Sequence, residues 1–308
     1  MGIAKIYKTP TIAIIILNWN GMEDTIACLR SIQNQQNVYL NEILIDNGST
    51  DNSVAVIRNE YPDITVIETG TNLGYAGGNN VGLKYALENG YEYIFVLNND
   101  TILDSYCIEN LMQDLYLNPK AACAGPKQLF YDQPEIIYYA GGIISRHGET
   151  VHSKKGESNQ PNNNIATDTE WLNGAAVLFR AEALRSVGLF DDRFFLLFED
   201  TDWSLRAGKA GYQLRYVPQA RLWHKESATF GNWWSPQYIY YYTRNNFLWI
   251  EKNFPLFRRP YLYYHAMKRI LHNTKNKIRQ NPIESSIYQQ AVGKGLKDYV
   301  LRRFGKRY

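Results

Sequence analysis

The sequence predicts an α/β fold built on a mostly parallel, doubly wound sheet. Segments typical of strands and of helices alternate from residue 11 to residue 125. Several apolar runs also stop abruptly at amides or carboxylates, as buried parallel strands do at their carboxyl ends. The clearest run is Tyr-Ile-Phe-Val-Leu at residues 93–97, followed by Asn98, Asn99, Asp100 and Thr101. Because ligands of open α/β sheets bind at that edge, we expect the functional site there.

The size and composition leave room for one large domain or for two. The chain has 308 residues and 45% hydrophobic content, enough for a sizeable core. Its three cysteines, Cys28, Cys107 and Cys123, lack metal-site spacing, which favours a reducing compartment over a disulfide framework. Residues 1–10 lack the apolar run of a signal peptide, and no later segment is apolar for long enough to span a bilayer. We therefore expect a cytoplasmic protein.

The charge is distributed unevenly along the chain. Residues 256–308 carry 13 Lys or Arg against only Glu284 and Asp298, a net charge of about +11, whereas the first 255 residues carry about −8. This polarity indicates an anionic surface, either membrane or nucleic acid, as a partner of the tail.

Two strand-turn-helix units open the chain. Residues 11–17 and 42–46 are predicted strands, followed by polar turns and by helices over 25–35 and from about Asn52. Asp46 stands at the end of the second strand, where a carboxylate can accept a hydrogen bond from a base imide or a ribose hydroxyl. A capping or turn role is the alternative, and it fits Asp51 better than Asp46.

A glycine-rich turn follows the third predicted strand, residues 64–68. Residues 72–82 contain four glycines and lead into a helix that ends near Asn89, an arrangement suited to a diphosphate. The turn follows the third strand rather than the first, so it does not match the dinucleotide fingerprint. A Rossmann dehydrogenase is therefore the weaker explanation.

The fourth strand delivers Asp100, a candidate metal ligand. One carboxylate beside two amides suits a hard cation that is shared with phosphate oxygens, although Asn-Asn-Asp is also common turn chemistry. A helix over 104–117 and a strand over 121–125 are predicted next. Residues 127–170 have scattered aromatics, and the polar stretch 156–168 within them is predicted to form a long mobile loop.

The second half of the chain contributes an acidic pair. A strand over 171–180 and a helix over 181–187 precede the aromatic run that ends at Glu199, Asp200 and Asp202, with a helix predicted over 204–210. The acids could simply complement a helix dipole, but a carboxylate after an aromatic run also suits a general base in a partly dry pocket. His224, which follows a predicted strand over 212–217, is a possible second metal ligand, although a lone histidine is more often structural.

From Ser235 onward the chain is predicted to be helical, with two apolar stripes flanked by basic residues. The stripes are Leu262, Ala266, Ile270 and Ile278, and then Tyr288, Val292, Leu296 and Tyr299. Such helices commonly lie on anionic membranes. The alternative is that both stripes pack on the rest of the protein while the charges face water.

Together these residues resemble the family 2 inverting glycosyltransferases of GT-A fold, and in particular their rhamnosyltransferase-like branch. The resemblance covers residues 11–250 and continues in the tail at 291–306. It rests on blocks that occur in order: ILNWNG (16–21), IDNGSTDNS (45–53), NLGYAGGNNVG (72–82), LNNDT (97–101), LNGAAVLFRAEALRSVGLFD (172–191), FFLLFEDTDWSLRAGKAGY (194–212) and Trp223-His224.

The resemblance implies a role for each matching residue. Residues expected to bind the nucleotide-sugar are Asn18, Asn20, Asp46, Asn47, Asn72, Gly74, Gly78, Asn79, Asn80, Asn98 and Asn99. Asp100 and His224 would hold a divalent cation, Mg²⁺ or Mn²⁺, and the sequence departs from the family's metal motif at Asn98, where many relatives carry an aspartate. Asp200 would be the catalytic base, with Glu199 beside it. Trp171, Asn173, Gly174 and Trp203 are expected on the acceptor side.

The resemblance also implies the organisation and the activity. Residues 1–255 would form the GT-A domain, with a nucleotide-sugar half at about 1–126 and an acceptor half at about 127–255, and residues 256–308 a basic helical tail. The expected reaction moves a sugar, L-rhamnose from dTDP-L-rhamnose or a sugar from a UDP-linked donor, to a glycan or lipid-linked acceptor at the inner membrane face. A catalytically weak scaffold that binds nucleotide-sugars is the alternative. Nucleic acid is not expected as a partner, because the first 255 residues are acidic and contain no recognised binding module.

Overall fold

The computed structural model describes residues 10–160, 165–225 and 235–307. The strands described in these ranges are β1 (Ile12–Asn18), β2 (Leu40–Asp46), β3 (Thr65–Glu68), β4 (Tyr93–Asn98), β5 (Thr101–Leu103), β6 (Ala121–Phe130), β7 (Ile137–Tyr139), β8 (Gly142–Ile144), β9 (Thr150–His152), β10 (Thr167–Asp168), β11 (Ala176–Arg180) and β12 (Gln213–His224). The helices are α1 (Met22–Gln33), α2 (Ser53–Glu60), α3 (Gly74–Glu88), α4 (Cys107–Leu117), α5 (Ala181–Val187), α6 (Glu199–Lys209), α7 (Pro236–Asn253), α8 (Arg259–Gln280) and α9 (Ser285–Val300).

The predicted α/β architecture is confirmed, with a parallel half that matches the sequence pattern closely. Strands β4, β1, β2 and β3 lie side by side in that order, and all are parallel. Residues 12–16 of β1 are buried because α3 packs on one face of the sheet and α1 and α4 on the other. Burial on both faces explains the unbroken apolar runs in this half. The register pairs Asn18 with Asp46, so the polar strand ends meet at one edge.

The other half of the sheet is mixed. Strand β11 lies between β4 and β6 and is antiparallel to both, whereas β12 runs parallel to β6. Strand β5, which the sequence did not reveal, pairs antiparallel with the end of β12 and sets Thr101 opposite His224. This pairing brings the loop after β4 next to the carboxyl end of β12, which lies 124 residues further along the chain.

Residues 127–170 contain short strands that the sequence did not reveal, although of these only β10 lies in the loop predicted at 156–168. Strand β6 continues to Phe130, β7 pairs with it, β8 and β9 form a hairpin, and β10 pairs with β12. These strands have two or three residues apart from β6, too few to establish a period of two. Residues 162–164, part of the same predicted loop, lie outside the described residues.

The two apolar stripes of the tail are buried against the rest of the protein. Leu262, Ala266 and Ile270 of α8 have no exposed surface, and Tyr288 of α9 is 2% exposed. Both helices pack on α7, and their side chains join two clusters that also contain aromatic residues from 194–198. Of the two alternatives left open by the sequence, the structure favours packing for these stripes.

Neighbouring residues on α8 provide a direct test of this packing. Ile270→Ala should lower the free energy of unfolding by about 2–5 kcal/mol, since it leaves a cavity in the core. Leu271→Ala is the matched control, because Leu271 is 54% exposed and its truncation should change stability by less than about 0.5 kcal/mol. Denaturant unfolding of both variants measures the difference, and equal effects would contradict the buried position of the stripe.

Candidate active site

A cleft of about 720 Å³ opens at the sheet edge where the sequence predicts the site. Predicted site residues that line it are Asn98, Asp100, Trp171, Asn173, Gly174, Glu199, Asp200 and His224. They come from β4, the loop before β11, the start of α6 and the end of β12. The fold therefore brings the candidate base, the candidate metal ligands and three of the acceptor-side residues into one cavity.

Asp100 and His224 form a close pair in this cleft. Nε2 of His224 lies 3.2 Å from Oδ1 of Asp100, and both residues are less than 9% exposed. Within the described residues, neither that oxygen nor Nδ1 of His224 has a well-aligned hydrogen-bond partner. Burial raises the pKa of Asp100, but the facing His224 and hydrogen bonds, including one to the Asn98 side chain, lower it more, and the pKa falls below its usual value. Asp100 is thus a buried carboxylate held in its charged form.

The acidic pair follows a segment with unusual backbone geometry. Phe195, Leu197 and Phe198 have φ angles of 66°, 71° and 76°, in the left-handed region that bulky residues seldom adopt. Such conformations persist only where the surroundings enforce them. Helix α6 begins immediately afterwards at Glu199. The segment of residues 193–198, here called the catalytic-edge loop, therefore fixes how the acidic pair enters the cleft.

Two side chains of α7 hold the catalytic-edge loop. Nδ2 of Asn245 lies 2.8 Å from the carbonyl oxygen of Phe194, 2.7 Å from that of Leu196 and 3.1 Å from that of Leu197. The guanidinium of Arg244, fully buried, donates to the carbonyls of Arg193 and Phe194 and also to that of Gly305 near the C-terminus. These donors satisfy carbonyls that a non-repeating backbone would otherwise leave unpaired.

Asp200 is oriented toward the cleft by three hydrogen bonds. Its Oδ2 accepts from the backbone N–H of Gly174 at 2.9 Å, and its Oδ1 accepts from the N–H and the hydroxyl of Thr201. Burial raises the pKa of Asp200, and these hydrogen bonds lower it by less, so that it stays above the usual aspartate value. A carboxylate with a raised pKa is a stronger base than an ordinary aspartate, as a proton acceptor requires.

Glu199 occupies a drier position than Asp200. It is 5% exposed, and within the described residues its Oε2 has no hydrogen-bond partner. Burial, and then the neighbouring Asp200, raise its pKa well above the usual glutamate value. Burial and the neighbouring Asp200 thus both favour the protonated form of Glu199.

The residues at the ends of β1 and β2 bond mainly to one another. Nδ2 of Asn18 donates to Asp46 at 3.0 Å and to Ser49, while Oδ1 of Asn18 accepts from Gly21 and Thr25. Asn18 and Asp46 are at most 3% exposed. They join the turns after the two strands into one unit.

The glycine-rich turn is similarly supported from within. Asn47 donates to the carbonyl of Gly74 and accepts from Leu73, and Asn72 accepts from Gly74. Gly74 has φ +75°, and a Cβ there would collide with Phe195. At Gly78, a Cβ would lie 2.5 Å from Leu17. The turn thus packs directly against both β1 and the catalytic-edge loop.

The remaining predicted amides make local contacts. Asn80 bonds to the backbone of Phe190 and to Asp192, and Asn79 donates to Tyr75. Asn99 donates to Gly21 and Thr25. Oδ1 of the exposed Asn20 accepts from Thr50 and Asp51. In this structure these amides support the turns around the cleft.

Trp203 is placed away from the acceptor side. It is 1% exposed, its ring packs edge-on against Phe179 at 4.7 Å, and its indole N–H donates to the carbonyl of Gly188. This position excludes a direct contact with an acceptor in the cleft. The tryptophan lies on α6 one turn after the acidic pair, but on the face that packs into the core, which its spacing alone did not reveal.

The structure adds cleft residues that the sequence did not identify. Tyr138 and His152 come from β7 and β9, and Lys155 follows β9. The others, from α7 and α8, are Tyr238, Tyr242, Arg269 and Asn273. Burial lowers the pKa of His152 to about 4, so this ring is neutral. Trp19, 44% exposed in the turn after β1, is a further aromatic at the sheet edge. The only local signal for this set is its aromatic content.

The sequence matches the model of Glycosyl transferase family 2 over residues 13–191, more than half of the chain. The chain belongs to glycosyl transferase family 2. It is 30% identical to the N-acetylglucosaminyl-diphospho-decaprenol L-rhamnosyltransferase of Mycobacterium tuberculosis (strain CDC 1551 / Oshkosh) over 61% of this chain and 67% of the relative. It is 27% identical to the dTDP-rhamnosyl transferase RfbF of Shigella flexneri over 78% of this chain and 79% of the relative.

Solved structures support the GT-A fold of this family 2 chain. A mannosyltransferase from Pyrobaculum calidifontis, in complex with GDP-Man and Mn²⁺, superposes with a TM-score of 0.59 over 96% of this chain and 88% of that one, at 14% identity. GalNAc-T7, with UDP, GalNAc and Mn²⁺, superposes with a TM-score of 0.58 over 89% of this chain but 58% of that one, at 15% identity. The GT-A fold expected from the sequence is confirmed.

The support from α7 generates a prediction for Asn245. Asn245→Ala removes the amide shared by three buried carbonyls, and each carbonyl left unpaired costs about 1–3 kcal/mol. We expect kcat to fall more than stability alone explains, since the loop before Asp200 loses its support. Asn253→Ala is the matched control, because it removes a buried amide of the same helix that binds Asp202 and the carbonyl of Trp249. Calorimetry measures the loss of stability of both variants, and steady-state kinetics measures their kcat. If Asn245→Ala and Asn253→Ala lose kcat in the same proportion to stability, the positioning role of Asn245 is contradicted.

Proposed function

We propose that this family 2 protein is an inverting glycosyltransferase that moves L-rhamnose from dTDP-L-rhamnose to a hydroxyl of a cell-surface polysaccharide or lipid-linked glycan precursor. The observation that supports this most directly is that Asp200 and the Asp100–His224 pair line one cleft. A proton acceptor on one side of the scissile bond and a cation-binding pair on the other are the groups that transfer from a diphosphate requires. The printed names of two relatives support L-rhamnose as the donor sugar.

The Asp100–His224 pair fits a divalent cation, Mn²⁺ or Mg²⁺. It offers one oxygen and one nitrogen ligand, both nearly buried and close together. No group of three or more His, Cys, Asp or Glu able to hold a metal occurs in the described ranges, which suits an ion that takes its other ligands from diphosphate oxygens and water. When bound, the ion would neutralise charge on the departing diphosphate. Asn98 stands at the edge of this site and hydrogen-bonds Asp100.

We propose that the nucleotide lies along the edge formed by the turns after β1, β2 and β3. Asn18, Asp46 and Asn47 would present this edge, with the base against the exposed face of Trp19, since every base offers a π-face for stacking. Asn72, Gly74 and Gly78 would keep the glycine-rich turn close enough for the diphosphate-sugar to lie against its backbone. Asn79, Asn80 and Asn99 would act by supporting these turns, and Asn20 and Asn98 lie nearer to solvent at either end.

Asp200 would act as the general base. As the acceptor oxygen bonds to the anomeric carbon, its proton passes to the Asp200 carboxylate and the bond from that carbon to the diphosphate oxygen breaks. Attack opposite the leaving group inverts the anomeric centre, so one base suffices and no covalent intermediate forms. Because burial favours the protonated form of Glu199, Asp200 would be the charged acceptor of the pair.

The acceptor would occupy the aromatic part of the cleft. Trp171, Tyr138 and Tyr242 line this part of the cleft, and Asn173 and Gly174 lie near the base. The acceptor printed in the name of the Mycobacterium tuberculosis relative is a diphospho-decaprenol carrying N-acetylglucosamine, which supports a lipid-linked acceptor at the inner membrane face. In the part of the chain that the structure describes, no helix combines the length and apolar character needed to cross a bilayer.

A catalytically weak scaffold that binds nucleotide-sugars is the second candidate, favoured by the asparagine at position 98. It predicts donor binding without consumption of the donor. Product analysis under single-turnover conditions, with enzyme in excess over dTDP-L-rhamnose and a lipid-linked acceptor, separates the two.

Asp200→Asn should nearly abolish turnover and leave donor affinity close to unchanged, because the amide keeps the shape but cannot accept the proton. Loss of a general base costs on the order of a hundred- to ten-thousand-fold in rate. Glu199→Gln is the matched control and should retain most activity, since burial favours the protonated form of Glu199, which the amide imitates. Rates and donor affinities of both variants test this, and the reverse order of effects would assign the base to Glu199.

Asp100→Ala should weaken metal dependence and donor binding together, and His224→Ala should act in the same direction but more mildly. Mn²⁺ binding in the presence of dTDP, followed by electron paramagnetic resonance, reports on the site without turnover. Asp104→Ala, which removes a carboxylate paired with Arg221 outside the cleft, is the control. Wild-type activity that is indifferent to a chelator would contradict the metal assignment.

Thermal-shift measurements with a panel of nucleotide-sugars test the donor. A ligand that binds only the folded state raises the apparent stability of the protein, and the increase grows with the ratio of ligand concentration to Kd. We expect the largest shift with dTDP-L-rhamnose. A larger shift with a UDP-hexose or UDP-galactofuranose would favour a UDP-linked donor, and no shift with any member would contradict the proposed reaction class.

A further inference from the structure

One face of α8 and of the single turn before it is exposed, apolar and basic, and it is not the face predicted from the sequence. Its large apolar residues are Leu256, Phe257, Tyr261, Tyr264 and Leu271, which are 76%, 82%, 47%, 64% and 54% exposed. Exposed Lys268 and Lys275 lie among them. We call these seven residues the α8 outer face.

The α8 outer face follows the helical repeat. Positions 257, 261, 264, 268, 271 and 275 are three or four residues apart and fall within about 40° of one line along a helix of 3.6 residues per turn. The buried stripe of Leu262, Ala266 and Ile270 lies on the opposite side. Exposure of the outer face is therefore compatible with full packing of the helix, and no part of α8 has to leave the core.

The charge of this helix has one sign. Residues 259–280 contain six Lys or Arg and no Asp or Glu. On the outer face, Lys268 and Lys275 alternate with Tyr264 and Leu271 along the axis. Aromatic residues are enriched at the membrane interface, and amphipathic helices with basic residues bind where anionic headgroups attract the charge.

The same helix borders the cleft. Arg269 and Asn273 line the cavity, and Arg269 also donates to the hydroxyl of Tyr242 and lies 3.9 Å from Glu149. Positions 269 and 273 lie about 120° and 160° around the helix from the centre line of the α8 outer face. The outer face and the cleft are therefore on different sides of α8, and a surface that contacts the outer face does not cover the cleft.

We propose that the α8 outer face docks on a lipid bilayer containing anionic phospholipid. Charge complementarity favours this occupant over a second copy of the chain, whose identical face would carry the same positive charge. The choice of apolar residues favours it over nucleic acid, since Leu256, Phe257 and Leu271 offer nothing to phosphate. This docking does not rest on the proposed function.

Vesicle co-sedimentation of the full chain tests the proposal. The vesicles contain phosphatidylcholine alone or with phosphatidylglycerol, at low and high salt. Lys268→Glu/Lys275→Glu reverses the charge, and Phe257→Ser/Tyr264→Ser/Leu271→Ser removes apolar surface. Lys84→Glu/Lys120→Glu and Tyr116→Ser/Leu117→Ser are the controls for charge and for apolar surface. These four residues are also exposed, but they lie on or next to α3 and α4, away from the α8 outer face.

The wild type should bind vesicles with phosphatidylglycerol, less so at high salt, because salt screens exposed charges. The charge-reversal variant should lose about tenfold or more in partitioning, and the apolar variant should lose the salt-resistant part of binding. Both controls should behave as the wild type. Thermal melting of each variant without vesicles verifies that it is folded.

Equal binding by the outer-face variants and their controls, or binding indifferent to phosphatidylglycerol, would overturn the proposal. Concentration-dependent dimerisation in gel filtration that the apolar variant abolishes, without vesicle binding by the wild type, would show that a second copy occupies the face. The dTDP-L-rhamnose thermal shift of the same variants keeps the two proposals separate, since it should not change. Vesicle binding without a thermal shift by dTDP-L-rhamnose would support the docking and contradict the proposed reaction. A thermal shift without vesicle binding would support the proposed reaction and contradict the docking.

Discussion

The contact on which the rest of the site depends is the bonding of Arg244 and Asn245 to the carbonyls of the catalytic-edge loop. Three bulky residues there adopt left-handed backbone angles, and that conformation would relax without donors to hold it. Arg244 is a fully buried cation, and its charge is acceptable because carbonyl oxygens surround it, including that of Gly305. The same bonds thus orient Asp200 and attach the C-terminal end of the chain to the catalytic centre.

The opposite wall of the cleft depends on a strand-pairing register. Strand β5 reverses direction directly after Asp100 and pairs with the end of β12, so Thr101 lies opposite His224. A shift of one residue would turn His224 to the other face of the sheet and away from Asp100. Gly174, before β11, completes the arrangement by donating its N–H to Asp200. The Asp100–His224 pair and Asp200 are therefore positioned by separate elements that meet only in the folded sheet.

Helix α8 contacts the core, lines the cleft and faces solvent with different parts of its circumference. One side fills the core through Leu262, Ala266 and Ile270, a flank contributes Arg269 and Asn273 to the cleft, and the outer side carries the exposed apolar and basic residues. The positive charge of the tail is consequently compatible with tight packing. This division explains how a strongly basic segment can pack into the body of the protein while its outer side stays exposed.

The sequence by itself determined the parallel half of the sheet, the edge at which polar groups gather and the identity of Asp100, Asp200 and His224 as cleft residues. It did so because long apolar runs and helical periods are local signals, and because the ordered blocks resemble a known family. Only the tertiary structure decided the rest. Strands as short as β5 and β7 are too short to show a period of two. Trp203 faces the core because of how α6 packs. Asn18 and Asp46 hydrogen-bond to each other. Which side of α8 faces the core could not be derived from its own residues, since aromatic residues occur on both sides and only the contact with α7 distinguishes them.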